Sequence, residues 1–402
     1  MKSIRLLFLL LLAVALPIIL LTYDRLGISF FDHQPAAPKT SKPTQAELET
    51  RHLNEGLQAF TQAYQQEFTR YQQQIENQWG EFKQAAPSIW LSYEEAGTFR
   101  RTVDYNQGEV RVEMMIDQET PLEQVKGQVD QAVYRLMNTT QKQAYATDVV
   151  SNRVEHRLTA YEDILQKGEM TDERLFSMND FLSLRIPSDG FVKVWYQSGN
   201  VAVTNIVPAA KAGKEIVRVS FRIPYTMHQK AVKFAAQVKA AAAKEQINAE
   251  LIYAIMETES GFNPMAKSYI PAYGLMQIVP RTAGKDATSY LYGKARLLAP
   301  SYLYKPKNNI SIGAAYLHVL QYRYMRKVKN KQSRIYCAIA AYNTGTSNVA
   351  KAFIDQASFN KAVAEINKLS PSQVYQKLKK YLPHKEARQY VEKVSKRMRK
   401  YL

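Results

Sequence analysis

The sequence has 402 residues, 46% of them hydrophobic, which is enough for two folded units and excludes a disordered chain. Lys and Arg number 54 against 36 Asp and Glu, a net charge of +18, so partners are sought among polyanions: nucleic acid, anionic lipid or cell-wall polymer. The single cysteine, Cys337, excludes an intramolecular disulfide, and six histidines without ligand spacing point to no metal site and no cofactor.

The chain opens with Lys2 and Arg5 ahead of an uncharged run from Leu6 to Leu21. Positive residues before an apolar stretch place the N-terminus in the cytoplasm. The run suits a signal peptide or a slightly short spanning helix. No small-x-small cleavage pattern follows, so residues 1–24 are expected to be an uncleaved anchor, with the rest outside the cytoplasm. Nucleic acid is then not an expected partner. Residues 34–45, QPAAPKTSKPT and the next position, read as a semi-extended linker.

Leu53, Leu57, Phe60, Tyr64, Phe68, Tyr71, Ile75, Trp79 and Phe82 recur at spacings of three and four, which predicts one long amphipathic helix packed on the sheet that follows. With about 30 residues it would span about 45 Å. After Pro87 the period changes to two. Val110, Val112 and Met114 alternate with Arg111 and Glu113, and Asn106-Gln107-Gly108 supplies a hairpin turn from the FRRTVDY segment. Further strands are expected at 191–196, 201–207 and from Val217 to Ile223, with a turn at Ser198-Gly199-Asn200. Residues 46–224 are therefore an α+β domain. From Tyr225 strand signals stop, so 225–402 is a mainly α domain, with the boundary near Pro224.

In that second part Asn248 is a good N-cap, and Ile247 can staple onto Ile252. The helix ends at Ser260-Gly261 before Pro264. Ile252, Ile255, Met256 and Glu259 fall at i, i+3, i+4 and i+7, so Glu259 lies on the core-facing stripe while Glu250 and Glu257 share the polar side. Desolvation and the negative end of the helix dipole both favour a protonated Glu259, as a general acid requires. Taken alone, such a glutamate is more often a loop cap or half of a buried ion pair. The sequence that follows argues for chemistry.

The stretch LIYAIMETESGFNPMAKSYIPAYGLMQIVPRTAGKD resembles the catalytic segment of lytic transglycosylases related to goose-type lysozyme. The matching residues are Glu259-Ser260, Phe262 to Pro264, Ser268 and Gly274-Leu275-Met276-Gln277; Ala341-Tyr342-Asn343 with Gly345, and Glu386 to Val391, resemble two later motifs. The preceding α+β region is similar to the N-terminal domain of the membrane-bound lytic murein transglycosylase C branch. The sequence departs from that branch in lacking a lipobox cysteine, and from many members in having Pro271 where they have glycine.

The resemblance implies a lysozyme-like catalytic domain acting on peptidoglycan glycan strands, with Glu259 as the single catalytic carboxylate. Glu259 would protonate the oxygen between MurNAc and GlcNAc, then take the C6 hydroxyl proton as a 1,6-anhydro ring closes. Glycoside hydrolysis normally uses two carboxylates, and one inward-facing candidate fits a lytic outcome. The resemblance further places Ser268, Gln277, Tyr342 and Tyr390 on the substrate, and Ser260, Gly274, Met276 and Asn343 in structural roles, Asn343 holding its helix end. On their own, Gln277 is as readily a backbone-bonding amide and Tyr342 and Tyr390 core aromatics. Cell-wall synthesis or division proteins are possible partners of no identifiable kind. The ten Lys and Arg of 377–402 read as a solvated face able to hold anionic polymer or lipid headgroups. A muramidase, a non-catalytic wall-binding protein and a nucleic-acid binder are the competing readings.

Overall fold

The computed structural model describes residues 42–94, 97–176, 203–222 and 226–401. The expected anchor at 1–24, most of the 34–45 linker, the strand at 191–196 with its turn at 198–200, and the Ile223–Tyr225 boundary lie outside the described residues. No described helix is long and apolar enough to cross a membrane. Two compact units divide the chain, Met1–Glu49 and Thr50–Leu402.

Thr44 and Glu47, in the first unit, make reciprocal bonds at the start of helix α1 (Gln45–Trp79), whose residues from Thr50 onward belong to the second: the Thr44 amide donates to Glu47 Oε2 at 2.7 Å and the Glu47 amide to Thr44 Oγ1 at 3.3 Å. The helix runs for 35 residues, longer than its hydrophobic stripe alone indicated.

In the second unit, strands β1 (Ile89–Tyr93), β2 (Phe99–Asp104), β3 (Glu109–Asp117), β5 (Val203–Pro208) and β6 (Lys214–Arg222) form an antiparallel sheet in the order β1-β2-β3-β6-β5. The β2–β3 turn is where the sequence placed it. Asp104 Oδ1 accepts from the Asn106 and Gln107 amides at 2.8 and 3.0 Å, and Gly108 takes φ +68°. Register sets Val110 against Phe221, Val112 against Val219 and Met114 against Val217, which builds one apolar face.

The opposite face, read from alternation as polar, is also covered. Arg100, Glu113 and Arg218 lie side by side across β2, β3 and β6. Arg100 Nε donates to Glu113 Oε2 at 2.7 Å, and the Trp79 ring at the end of α1 covers the guanidinium at 4.4 Å. Burial alone would raise the Glu113 carboxyl, but the Arg100 bond and charge, with Lys83 and Arg218, pull it down to about 2.

Helices α2 (Leu122–Met137), α3 (Gln141–Thr147) and α4 (Val149–His156) lie between β3 and β4 (Leu165–Gln166) in sequence. Thr140 and Gln143 form a capping box at α3, and Asp148 caps α4. From Met227 the chain is helical: α5 (Met227–Val232), α6 (Ala235–Glu245), α7 (Ala249–Glu259), α8 (Lys285–Tyr292), α9 (Pro300–Leu303), α10 (Pro306–His318), α11 (Lys331–Thr344), α12 (Thr346–Lys351), α13 (Phe359–Asn367), α14 (Pro371–Tyr381) and α15 (Lys385–Met398). One short strand interrupts them. β7 (Leu297–Leu298) pairs in parallel with β4, so strand structure continues past Pro224 and ties the two regions together.

Among the described residues the larger buried core runs from Leu53 through the sheet to Val394, and a smaller one lies at the end of α1. α1 packs on more than the sheet. Ile75 and Trp79 meet Tyr93 and Ile216, whereas Phe60 stands edge-on to Tyr273 at 6.3 Å and the Tyr64 hydroxyl donates to the Ser268 carbonyl at 3.2 Å. Asp148 completes the joint, accepting from Tyr304 at 2.6 Å and pairing with Lys267, so the loop around Ser268 is braced from the α+β side. Cys337 is buried in α11, and burial pushes its thiol up to about 12.

Candidate active site

α7 begins at Asn248, which takes the extended cap conformation without a side-chain bond, and carries its apolar stripe into the core through Leu251, Ile252, Ile255 and Met256. Glu259 ends the helix, half-buried. Ser260 then turns the chain. Its Oγ reaches the Met256 carbonyl at 3.0 Å and the Leu275 carbonyl at 2.8 Å, pinning the helix end to the turn that bears Gln277. Gly261 and Phe262 follow at φ +60° and +68°; the second is a strained conformation held because the Phe262 ring is buried beside Phe234.

The turn from Tyr273 to Ile278 is closed by reciprocal amide bonds of 3.1 and 3.0 Å between those two residues. Gly274 takes φ +74°, and a Cβ there would stand 2.5 Å from the Leu303 carbonyl and 2.3 Å from Asn309 Nδ2. Met276 is fully buried, its sulfur lying over Gly313 where any Cβ would collide with it. Gln277 is buried at φ +47°. Its Nε2 donates to the Gly274 carbonyl at 3.1 Å, while its Oε1 accepts no hydrogen bond among the described residues.

Tyr390 and Tyr342 converge on this turn and on Glu259. The Tyr390 hydroxyl, from α15, donates to Glu259 Oε1 at 2.5 Å. Tyr342, from α11, donates to the Met276 carbonyl at 2.7 Å, and burial, with the Glu259 charge adding to it, raises its phenol well above the ordinary range. Burial raises the Glu259 carboxyl to about 7. The Tyr390 bond opposes that rise and the Glu386 charge adds to it. A carboxyl balanced there can both donate and accept a proton near neutral pH.

The Ser268 hydroxyl donates to the Ile270 carbonyl in its own loop. Two expected placements differ from the structure. Asn343 is half-buried beside Tyr342, but the helix end it was expected to hold is tied by Asn348, whose Nδ2 donates to the Thr344 carbonyl at 3.0 Å. Glu257, read as solvent-facing, is 3% exposed and is met by Lys400, Tyr401 and Arg397, because α15 covers the face that helical periodicity assigned to water.

Two residues with no role in the sequence reading shape the site. Asn309 is fully buried and bridges the Met276 amide and the Tyr273 and Leu303 carbonyls. A polar residue immediately before the stretch Ile310, Ile312, Gly313 was its only signal. Glu386 was visible as a motif residue, but its nearness to Glu259 follows from how α15 crosses α7. Among the described residues no three His, Cys, Asp or Glu side chains converge as a metal cage.

Residues 236–364, which bracket Glu259, the Gly274–Gln277 turn and Tyr342, match the pattern of the transglycosylase SLT domain. That matched segment follows an N-terminal α+β region, so the expected order of an α+β part and a mainly helical, lysozyme-like part is borne out. Proteins named membrane-bound lytic murein transglycosylase C from Yersinia pestis (strain Pestoides F) and Yersinia pseudotuberculosis (serotype O:1b) are each 42% identical over 179 residues, 44% of this chain and 49% of theirs. The chain thus spans about half the length of the relatives it matches. A solved lytic transglycosylase Slt from Pseudomonas aeruginosa is 28% identical, covering 42% of this chain and 23% of that one, with a TM-score of 0.30. Tyr390 and Glu386 lie beyond the SLT match, in helix α15.

Proposed function

We propose that this protein is a lytic transglycosylase that cleaves the β-1,4 bond between MurNAc and GlcNAc in peptidoglycan, leaving 1,6-anhydroMurNAc ends, in cell-wall turnover. The observation that carries the reading is a half-buried Glu259, set near pH 7 and held by Tyr390, inside an SLT domain. Protonated Glu259 gives its proton to the glycosidic oxygen as the bond breaks. The resulting carboxylate takes the proton of the same sugar's C6 hydroxyl, and that oxygen closes on C1. No water is consumed, so proton transfer to and from one side chain balances the step.

Gln277 offers an unpaired buried acceptor to a substrate N–H. Tyr342 and Tyr390 line the acid. Ser268 supports the cleft loop through its backbone and that loop's contact with Tyr64. Gly274, Met276 and Ser260 fix the turn, and Asn343 is left as a half-buried neighbour of Tyr342.

Replacing Glu259 by Gln keeps the shape and removes the proton. Release of soluble fragments from purified sacculi should fall at least ~10²-fold, the low end of a general acid–base contribution. Wild-type turnover in this variant would move the chemistry elsewhere. A second reading, hydrolysis by a muramidase, is favoured by one observation, the Glu386 carboxylate near Glu259. Mass analysis of the products separates the two: anhydro ends support the lytic reading, reducing ends the hydrolytic one, and no products a wall-binding role.

The relatives' names place them at a membrane. We assign this protein to the cell envelope on the periplasmic side, attached to the inner membrane by residues 6–21, with glycan strands and lipid as its partners rather than nucleic acid. A mature chain beginning near residue 25 in soluble extract would refute the attachment.

A further inference from the structure

Helix α15 reaches the last turn of α7 on two faces. From one it presents Tyr390 to Glu259 at 2.5 Å. On the other, residues at and just past its end close on Glu257, two positions before Glu259. Lys400 Nζ donates at 2.7 Å, the Tyr401 hydroxyl at 2.8 Å, and Arg397 Nε lies 3.1 Å away. The Tyr401 ring stacks on Tyr253 at 5.0 Å and meets the edge of Phe262 at 6.4 Å, so its hydroxyl is held by rings from both sides of the catalytic residue.

A buried carboxylate with three such partners is a weak device for stability, because apolar packing often serves as well. It is a strong device for register, since only one relation of the two helices satisfies all its bonds. A hydrogen bond as short as that of Tyr390 depends on register, because a shift of a few tenths of an ångström weakens it.

We propose that Glu257, with Arg397, Lys400 and Tyr401, is a positioning clamp that fixes α15 on α7 and thereby sets the Tyr390–Glu259 hydrogen bond. The inference rests on Glu259 being the acid–base group. The titratable groups facing Glu259 are Tyr390 and Glu386 from α15 and Tyr342 from α11, and Arg397 also acts on Tyr390. A phenol donating to a carboxylate favours the charged form, so loosening the clamp raises the pH at which Glu259 loses its proton. The enzyme needs the protonated acid, so the basic limb of its activity profile moves to higher pH.

The test is the rate of release of soluble fragments from sacculi against pH, with the full chain, for wild type, Tyr401→Phe, Tyr390→Phe, the double variant and Glu259→Gln. Tyr401→Phe removes one hydroxyl and keeps both ring contacts; Lys400→Met, at a half-exposed position, is the second probe should it not fold. Tyr390→Phe should move the basic limb up by about one unit, as expected for losing one hydrogen bond to a charged group. Tyr401→Phe should move it in the same direction by a smaller amount, and the double variant no further than Tyr390→Phe alone. An unmoved limb in Tyr401→Phe and Lys400→Met, with only thermal stability lowered, would overturn the clamp, as would additive shifts in the double variant. If Glu259→Gln is inactive while the limb stays fixed, the clamp alone fails. If Glu259→Gln retains wild-type turnover, the acid–base reading fails and the clamp with it.

Discussion

Replacing Asn309 by Ala removes the side chain on which the Gly274–Gln277 turn is hung. Its Oδ1 accepts from the Met276 amide at 2.8 Å, and its Nδ2 donates to the Tyr273 and Leu303 carbonyls at 2.7 and 2.8 Å, all away from solvent. Tyr273 recovers nothing elsewhere for that bond beyond its own turn pairing, and Gly274 packs so closely on Asn309 that the turn has no slack. A buried backbone group left without its partner costs about 1–3 kcal/mol, and a water entering the space would restore part of it. The expected loss is therefore about 3–5 kcal/mol. Asn309→Asp keeps the acceptor for Met276 but turns an oxygen toward two carbonyls, and should be at least as damaging. Urea denaturation reads the loss as a drop in midpoint, with Asn308→Ala as the control. Asn308 makes one side-chain bond, Nδ2 to the Tyr302 carbonyl at 3.2 Å, worth about 0.5–1.5 kcal/mol. Should Asn309→Ala cost under ~1 kcal/mol, or no more than the control, the turn does not depend on this residue.

Other outcomes follow from the same geometry. The Glu113 carboxyl is held at about 2 against an ordinary 4.5, so it contributes stability above pH 4.5 that is lost as pH falls toward 2; at 1.36 kcal/mol per unit this is roughly 3 kcal/mol. The stability gap between wild type and Glu113→Gln should narrow across that window, and a constant gap would contradict the pairing. Glu257→Gln should lower stability by about 1–3 kcal/mol, less than a fully buried pair because Lys400 and Arg397 are partly solvated. Gln277→Ala gives up one protein hydrogen bond, so its melting point should stay close to wild type while fragment release falls. Full activity with lost stability would make Gln277 a structural amide.

Local pattern was enough for several of the elements and for the place of Glu259. Apolar residues at three- and four-residue spacing placed α1 and α7, alternation placed β2, β3 and β6, and Asn106-Gln107-Gly108 placed their turn, because side-chain periodicity and turn chemistry are properties of neighbouring residues. Glu259 stood out for the same reason, a carboxyl on an apolar stripe at a helix end. What covers a face is not local. Alternation sent Glu113 toward water and helical phase did the same for Glu257, yet the end of α1 closes over one and α15 over the other, so both became buried ion pairs. The distance from Tyr390 to Glu259, the unpaired Gln277 oxygen and the three bonds of Asn309 likewise arise from segments far apart in sequence. Their meeting is set by how helices pack into a shared core, and a single sequence read along its length carries no measure of that packing.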